Sequence, residues 1–231
     1  MNPRLPPRSS PERLRVITGA LDDFSLLEAL LWDGQYSRLA QHLQRMARSA
    51  ATFAIPFDGD QLQSLLLQHA QTLDASERYK VRLEVDRAGA AYCVSAVLPD
   101  QAAEGRLTIV VSERRTRSGD LFLFHKTTYR PLYQEAYQRA VRHGHTDVIF
   151  LNERHEVTEG AISNIFIQRR HRLLTPPSRC GLLAGVYRHM ILDERPDACE
   201  QVLSLEDLRE AEQIYLCNAV RGWRPVTLAT S

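Results

Sequence analysis

The chain has little excess charge, few cysteines and no long apolar run, and each shortage removes a class of function. Its 231 residues carry a formal net charge of +1. That balance gives nucleic acid no electrostatic footprint and a membrane no polybasic anchor. Apolar runs such as FSLLEALLW stop well short of the roughly 20 residues that cross a bilayer. The opening MNPRLPPRSSPERLR lacks the apolar stretch of a secretory signal. The four cysteines, Cys93, Cys180, Cys199 and Cys217, are scattered without a CxxC pair. They read as reduced thiols of a cytoplasmic protein, with no metal site expected. There is no internal repeat and no low-complexity tract. The length suits one large domain or two small ones sharing a cleft.

Residues 1–15 read as a flexible N-terminal arm. An apolar run from Phe24 to Trp32 ends at Asp33-Gly34, a turn signal. Leu39, Leu43, Met46, Ala47, Ala50 and Ala54 recur at helical spacing over 38–54, and a second helix starts near Asp58 or Asp60. The period then changes to two: Tyr79, Val81, Leu83 and Val85 alternate with polar residues, turn at Arg87-Ala88-Gly89 and run back from Tyr92 to Leu98. Leu107–Val111 is a further strand. These elements define a small α+β domain over 16–111, a linker over 112–120 and a second domain over 121–231. In the second, helices are expected at about 131–143, 185–192 and 205–209, and strands at 148–152, 163–168 and 213–217.

Several stretches can carry chemistry. Lys126, in FHKTTYR, follows an apolar run. A desolvated lysine there is a neutral amine able to attack a carbonyl, while a solvated loop lysine is the plain alternative. Glu159, directly before Gly160, is either a turn carboxylate or one that holds a proton on a heteroaromatic nitrogen. Ser163 and Asn164 follow at the mouth of a strand. CGLLAGVYR, residues 180–188, is a glycine loop feeding a helix. Its free N–H groups at Val186 and Tyr187 form a phosphate cradle or an ordinary helix start. Asn218, Ala219 and Val220 end a strand in a second turn that can face phosphate. Arg45 is a candidate counter-charge or an exposed helix arginine.

Taken together and in order, FSLLEALLWDG, HLQRMARSA, HKTTYR, FLNERHEVTEGAISNIF, LLTPPSRCGLLAGVYR and NAVRGW resemble the class IV aminotransferases, pyridoxal phosphate enzymes of fold type IV. The likeness runs from residue 24 to about 224 and is strongest to the 4-amino-4-deoxychorismate lyase branch. It implies a D-amino acid aminotransferase-like architecture, with a small α/β N-terminal domain and a larger pseudobarrel C-terminal domain. It also implies pyridoxal 5'-phosphate as cofactor. Lys126 would join it covalently and shuttle protons, and Glu159 would hold its ring nitrogen. Val186, Tyr187, Arg45 and the 218–220 turn would hold its phosphate, with Ser163 and Asn164 ordering the strand mouth. The activity implied is release of pyruvate to give 4-aminobenzoate, from a homodimer with an aminodeoxychorismate synthase as its candidate partner. An amino-acid aminotransferase and a cofactor-poor docking partner are the alternatives. Ala29 stands where the lyase branch carries threonine, and Ala219 where the family carries serine.

Overall fold

A computed structural model of the chain describes residues 24–99 and 107–229. The expected 1–15 arm lies outside them. Strand β1 (Leu26–Trp32) buries every second residue, so Leu26, Glu28, Leu30 and Trp32 share the inward face. It pairs antiparallel with β2 (Tyr79–Val85), which pairs antiparallel with β3 (Ala91–Val97). Helices α1 (Leu39–Phe53) and α2 (Gly59–Ala70) follow β1. Asp58 caps α2, its carboxylate accepting from the Gln61 N–H at 3.0 Å. Leu43, Met46, Ala50, Leu62 and Leu66 of these helices join Leu26, Leu30, Val81 and Leu83 of the sheet in one core. The opposite sheet face carries Leu27, Ala29, Lys80 and Arg82 into a cavity.

The second sheet has eight strands in the order β6-β5-β4-β11-β10-β7-β8-β9. They are β4 (Thr108–Val111), β5 (Asp147–Leu151), β6 (Val157–Gly160), β7 (Asn164–Arg169), β8 (Arg172–Thr175), β9 (Ala198–Glu200), β10 (Gln213–Asn218) and β11 (Gly222–Leu228). The sheet is mixed and curled: β4 runs parallel to both β5 and β11, whereas β7, β10 and β11 are antiparallel neighbours. Helix α3 (Pro131–Arg142) packs on β5 and α4 (Val186–Glu194) on β10. Helix α5 (Leu205–Arg209) starts in a Ser204–Asp207 capping box.

Two expectations change. Thr108–Val111 belongs to the large sheet, so the sheets part ahead of β4 and not at 112–120. That segment follows β5: the Ser112 and Thr116 N–H groups donate to the Ile149 and Leu151 carbonyls at 2.8 and 3.0 Å. In addition, β6, β8, β9 and β11 are strands over residues for which the sequence suggested none. A short turn at Leu121–Phe124 ties the two sheets together. Phe122 packs against the touching pair Phe24 and Phe53, ring centroids 5.2 Å from each, and seats the next residues against β1. No helix among the described residues is long and apolar enough to cross a membrane.

Candidate active site

Between the sheets lies a cavity of about 430 Å³. Arg45, Lys126, Glu159, Ser163, Asn164, Val186, Tyr187, Asn218, Ala219 and Val220 all line it. The fold thus gathers residues 175 positions apart in sequence at one place.

Lys126 is fixed by its backbone. Its carbonyl accepts from the Leu27 N–H at 2.9 Å, and the Thr128 N–H donates to the Ser25 carbonyl at 2.9 Å, extending β1 with a short antiparallel pairing. Burial, helped by the nearby Arg130 and Arg45 charges, pushes the Lys126 amine down to about 7, against the opposing pull of Glu28 and Glu159. A large fraction is therefore neutral and nucleophilic at physiological pH.

Glu159 sits on β6, fully enclosed. Tyr133, in the first turn of α3, donates its hydroxyl to Oε1 at 3.2 Å, and Asn164 Nδ2 lies 3.4 Å from Oε2. Burial still wins over these bonds and the Arg130 charge, and pushes the carboxyl up to about 7. A carboxylate so poorly compensated is suited to gain a cationic ring N–H as partner.

Arg45 reaches the cavity from α1 in a two-pronged grip. Its Nε and Nη2 donate to Glu28 Oε1 and Oε2 at 2.8 and 2.6 Å, and His42 Nδ1 lies 2.7 Å from Oε2. Burial would raise the Glu28 carboxyl, but Arg45 and His42 together hold it down at about 2. Opposite, α4 begins at Gly185 with no side-chain cap, leaving the N–H groups of its first turn for an anion. A Cβ at Gly185 would lie 2.1 Å from Asn164 Oδ1, so only glycine fits. At the third wall Asn218 Oδ1 accepts from the Val220 and Arg221 N–H groups at 3.1 and 2.7 Å and shapes the turn that carries Ala219.

Sequence reasoning missed Glu28, His42, Arg130, Tyr133, Lys80, Arg82 and Arg221. Glu28 had a readable signal, a carboxylate in phase with Leu26, Leu30 and Trp32 on an apolar strand face. Arg130 and Tyr133 had none, since their place depends on how α3 packs.

The Amino-transferase class IV family model matches residues 25–229, and the chain belongs to that family. It is 28% identical over 207 residues to a Schizosaccharomyces pombe protein named "Putative aminodeoxychorismate lyase", covering 87% of this chain and 88% of that one. It is 29% identical over 224 residues to a Thermotoga maritima "Probable branched-chain-amino-acid aminotransferase", covering 88% and 80%. The crystal structure of a "Putative amino-acid aminotransferase" from Mesorhizobium loti superposes with a TM-score of 0.83 at 31% identity, over 90% of this chain and all of that one. The fold is type IV and the cofactor is pyridoxal phosphate. The donor set suits that molecule: an amine near neutrality, a buried carboxylate short of positive charge, and a clamped arginine facing an uncapped helix start.

Proposed function

We propose that the chain is a lyase acting on 4-amino-4-deoxychorismate or a close relative, releasing pyruvate and leaving 4-aminobenzoate for folate synthesis. The observation that carries this reading is the cationic wall facing Lys126. Lys80 and Arg82 enter the cavity from β2 and Arg221 from the β10–β11 turn. Arg82 is held by Glu84, which fixes where its guanidinium points. Burial and the Arg82 and Arg221 charges lower the Lys80 amine below its usual range, as expected where cations crowd together out of water. A substrate with two carboxylates meets that wall better than a neutral amine would.

When bound, pyridoxal phosphate supplies an electron sink for charge developing at the amine-bearing ring carbon. Lys126 takes the proton from that carbon, a role its amine can fill only when neutral. The C–O bond to the enolpyruvyl group then breaks, the ring becomes aromatic, and the enolpyruvyl carbon regains a proton as pyruvate leaves. Atoms and electrons balance with no outside oxidant. Glu159 keeps positive charge on the cofactor ring, and the α4 start with Arg45 holds the phosphate end. We propose a homodimer as the working unit, to be checked by sedimentation velocity.

A second reading, an amino-acid aminotransferase, is favoured by Ala29. That residue faces the cavity and offers no hydroxyl where the lyase branch has one. One assay separates the two. Purified protein loaded with pyridoxal phosphate is given aminodeoxychorismate, and 4-aminobenzoate and pyruvate are followed. Equal release of both products supports the lyase. No release, with conversion of the cofactor to pyridoxamine phosphate by amino acids, replaces it with the aminotransferase. A colourless protein that borohydride never links to cofactor at Lys126 defeats both, and leaves the docking partner of a chorismate-aminating synthase.

A further inference from the structure

Asp147, the first residue of β5, is completely buried and does not line the cavity. Its Oδ1 accepts from its neighbour Val148 N–H at 2.8 Å and from the Ala161 N–H at 2.9 Å, and Oδ2 lies 3.4 Å from the Ile162 N. The Ser163 hydroxyl also donates to this carboxylate. Three of these contacts, those with Ala161, Ile162 and Ser163, converge on the turn that follows Glu159. Gly160 belongs to the same arrangement: its N–H donates to the Ser163 carbonyl at 2.8 Å, and a Cβ there would sit 2.6 Å from Asp147 Oδ2. The glycine after Glu159 is therefore required by the close approach of the carboxylate. The turn in turn holds Asn218, whose Nδ2 donates to the Ile162 carbonyl and to Ser163 Oγ, each at 3.3 Å. The other end of the Asn218 amide organises residues 219–221, as described above.

We propose that Asp147 is a positioning residue: one buried carboxylate fixes the 160–163 turn and, through Asn218, the 219–221 turn, and so sets two walls of the cofactor cavity. Burial pushes this carboxyl up to about 6 despite its hydrogen bonds. The ionised form is therefore held against the preference of the fold, as expected where a charge serves a site and not stability. An apolar or amide side chain would fill the space, but none supplies acceptors to Ala161, Ile162 and Ser163 at once. The role in cofactor binding rests on the cavity being the pyridoxal phosphate site, whereas the coupling of the two turns does not.

The test compares the cofactor-free wild type with Asp147→Asn. In the variant we expect a melting temperature at pH 7.5 equal to or above that of the wild type. Amide exchange at Ala161, Val220 and Arg221 should be at least tenfold faster, and the Kd for pyridoxal phosphate at least tenfold higher. A purely structural role would lower the melting temperature, and that outcome, like unchanged exchange and affinity in a folded variant, overturns the proposal. A variant that fails to fold counts, with a lowered melting temperature, against the positioning role, and the wild type then decides the coupling of the two turns alone. Ala161, Ile162, Val220 and Arg221 must then exchange with one common opening constant, and a spread beyond tenfold overturns the coupling. A wild type that binds no pyridoxal phosphate rejects the cofactor reading alone, because the exchange arm still stands or falls by itself.

Discussion

Lys126 and Glu159 are both held near half-ionisation by burial, and each makes a measurable statement about pH. The Lys126 amine lies at about 7, so the rate at which the cofactor-free protein captures pyridoxal phosphate should rise with pH and level off above about 7. Stopped-flow absorbance checks this; a rate still climbing towards pH 10 would mean an ordinary, solvated lysine. Glu159 is raised from 4.5 to about 7. Its contribution to the stability of the cofactor-free protein is present in full below about 4.5 and lost as pH rises through 7, a loss on the order of 3 kcal/mol. Glu159→Gln should therefore make the cofactor-free protein more stable than wild type at pH 8 and no different at pH 4 by urea unfolding. The same change should cost turnover about 10²-fold or more, because the ring nitrogen loses its anion.

The grip between β1 and α1 is an element-scale device, since neither Glu28 nor Arg45 is placed without the packing of helix on sheet. Glu28→Gln leaves Arg45 buried beside a neutral amide, a change that costs about 3–5 kcal/mol when one partner of a buried pair is removed. The Glu28 carboxyl is lowered from 4.5 to about 2, so its stabilisation is complete above 4.5 and vanishes as pH falls through 2. The gap between wild type and variant in urea unfolding should accordingly narrow from pH 7 to pH 3. A gap of constant size would show that the loss is one of packing.

Elements also decide what was readable. The α1 and α2 helices and strand β2 show their periods because each buries one face against a neighbour close in sequence. The four residues of β6, VTEG, have no period. All four are buried because β5 and the 160–163 turn close over them, a fact of tertiary structure alone. Pro225 sits within β11 opposite Tyr215, where a proline argues against a strand. The 185–187 helix start and the 218–220 turn were legible because glycine and asparagine mark backbone geometry locally. Asp147 was not, since its partners lie on a turn 14 residues away.

At the scale of the whole molecule the cavity belongs to neither sheet. The three-stranded sheet and its helices give Arg45, Lys80 and Arg82, the eight-stranded sheet and α4 give Glu159, Val186 and Asn218, and Lys126 lies on the segment that Phe122 pins against Phe24 and Phe53. A ligand that touches all three must favour the state in which both sheets are folded and apposed. Binding only to that state adds about 2.7 kcal/mol when free ligand exceeds its Kd a hundredfold. Calorimetry should then show a single cooperative transition for the loaded protein, at a temperature that rises with pyridoxal phosphate concentration. Without cofactor that added stabilisation is absent, and the two sheets should unfold at separable temperatures, the small one first. Phe122→Ala removes the pin and should widen that separation while leaving the large sheet's transition in place. Two transitions that persist in the loaded protein would mean that the cofactor contacts one sheet only, and the apposition of the sheets would then owe nothing to the site.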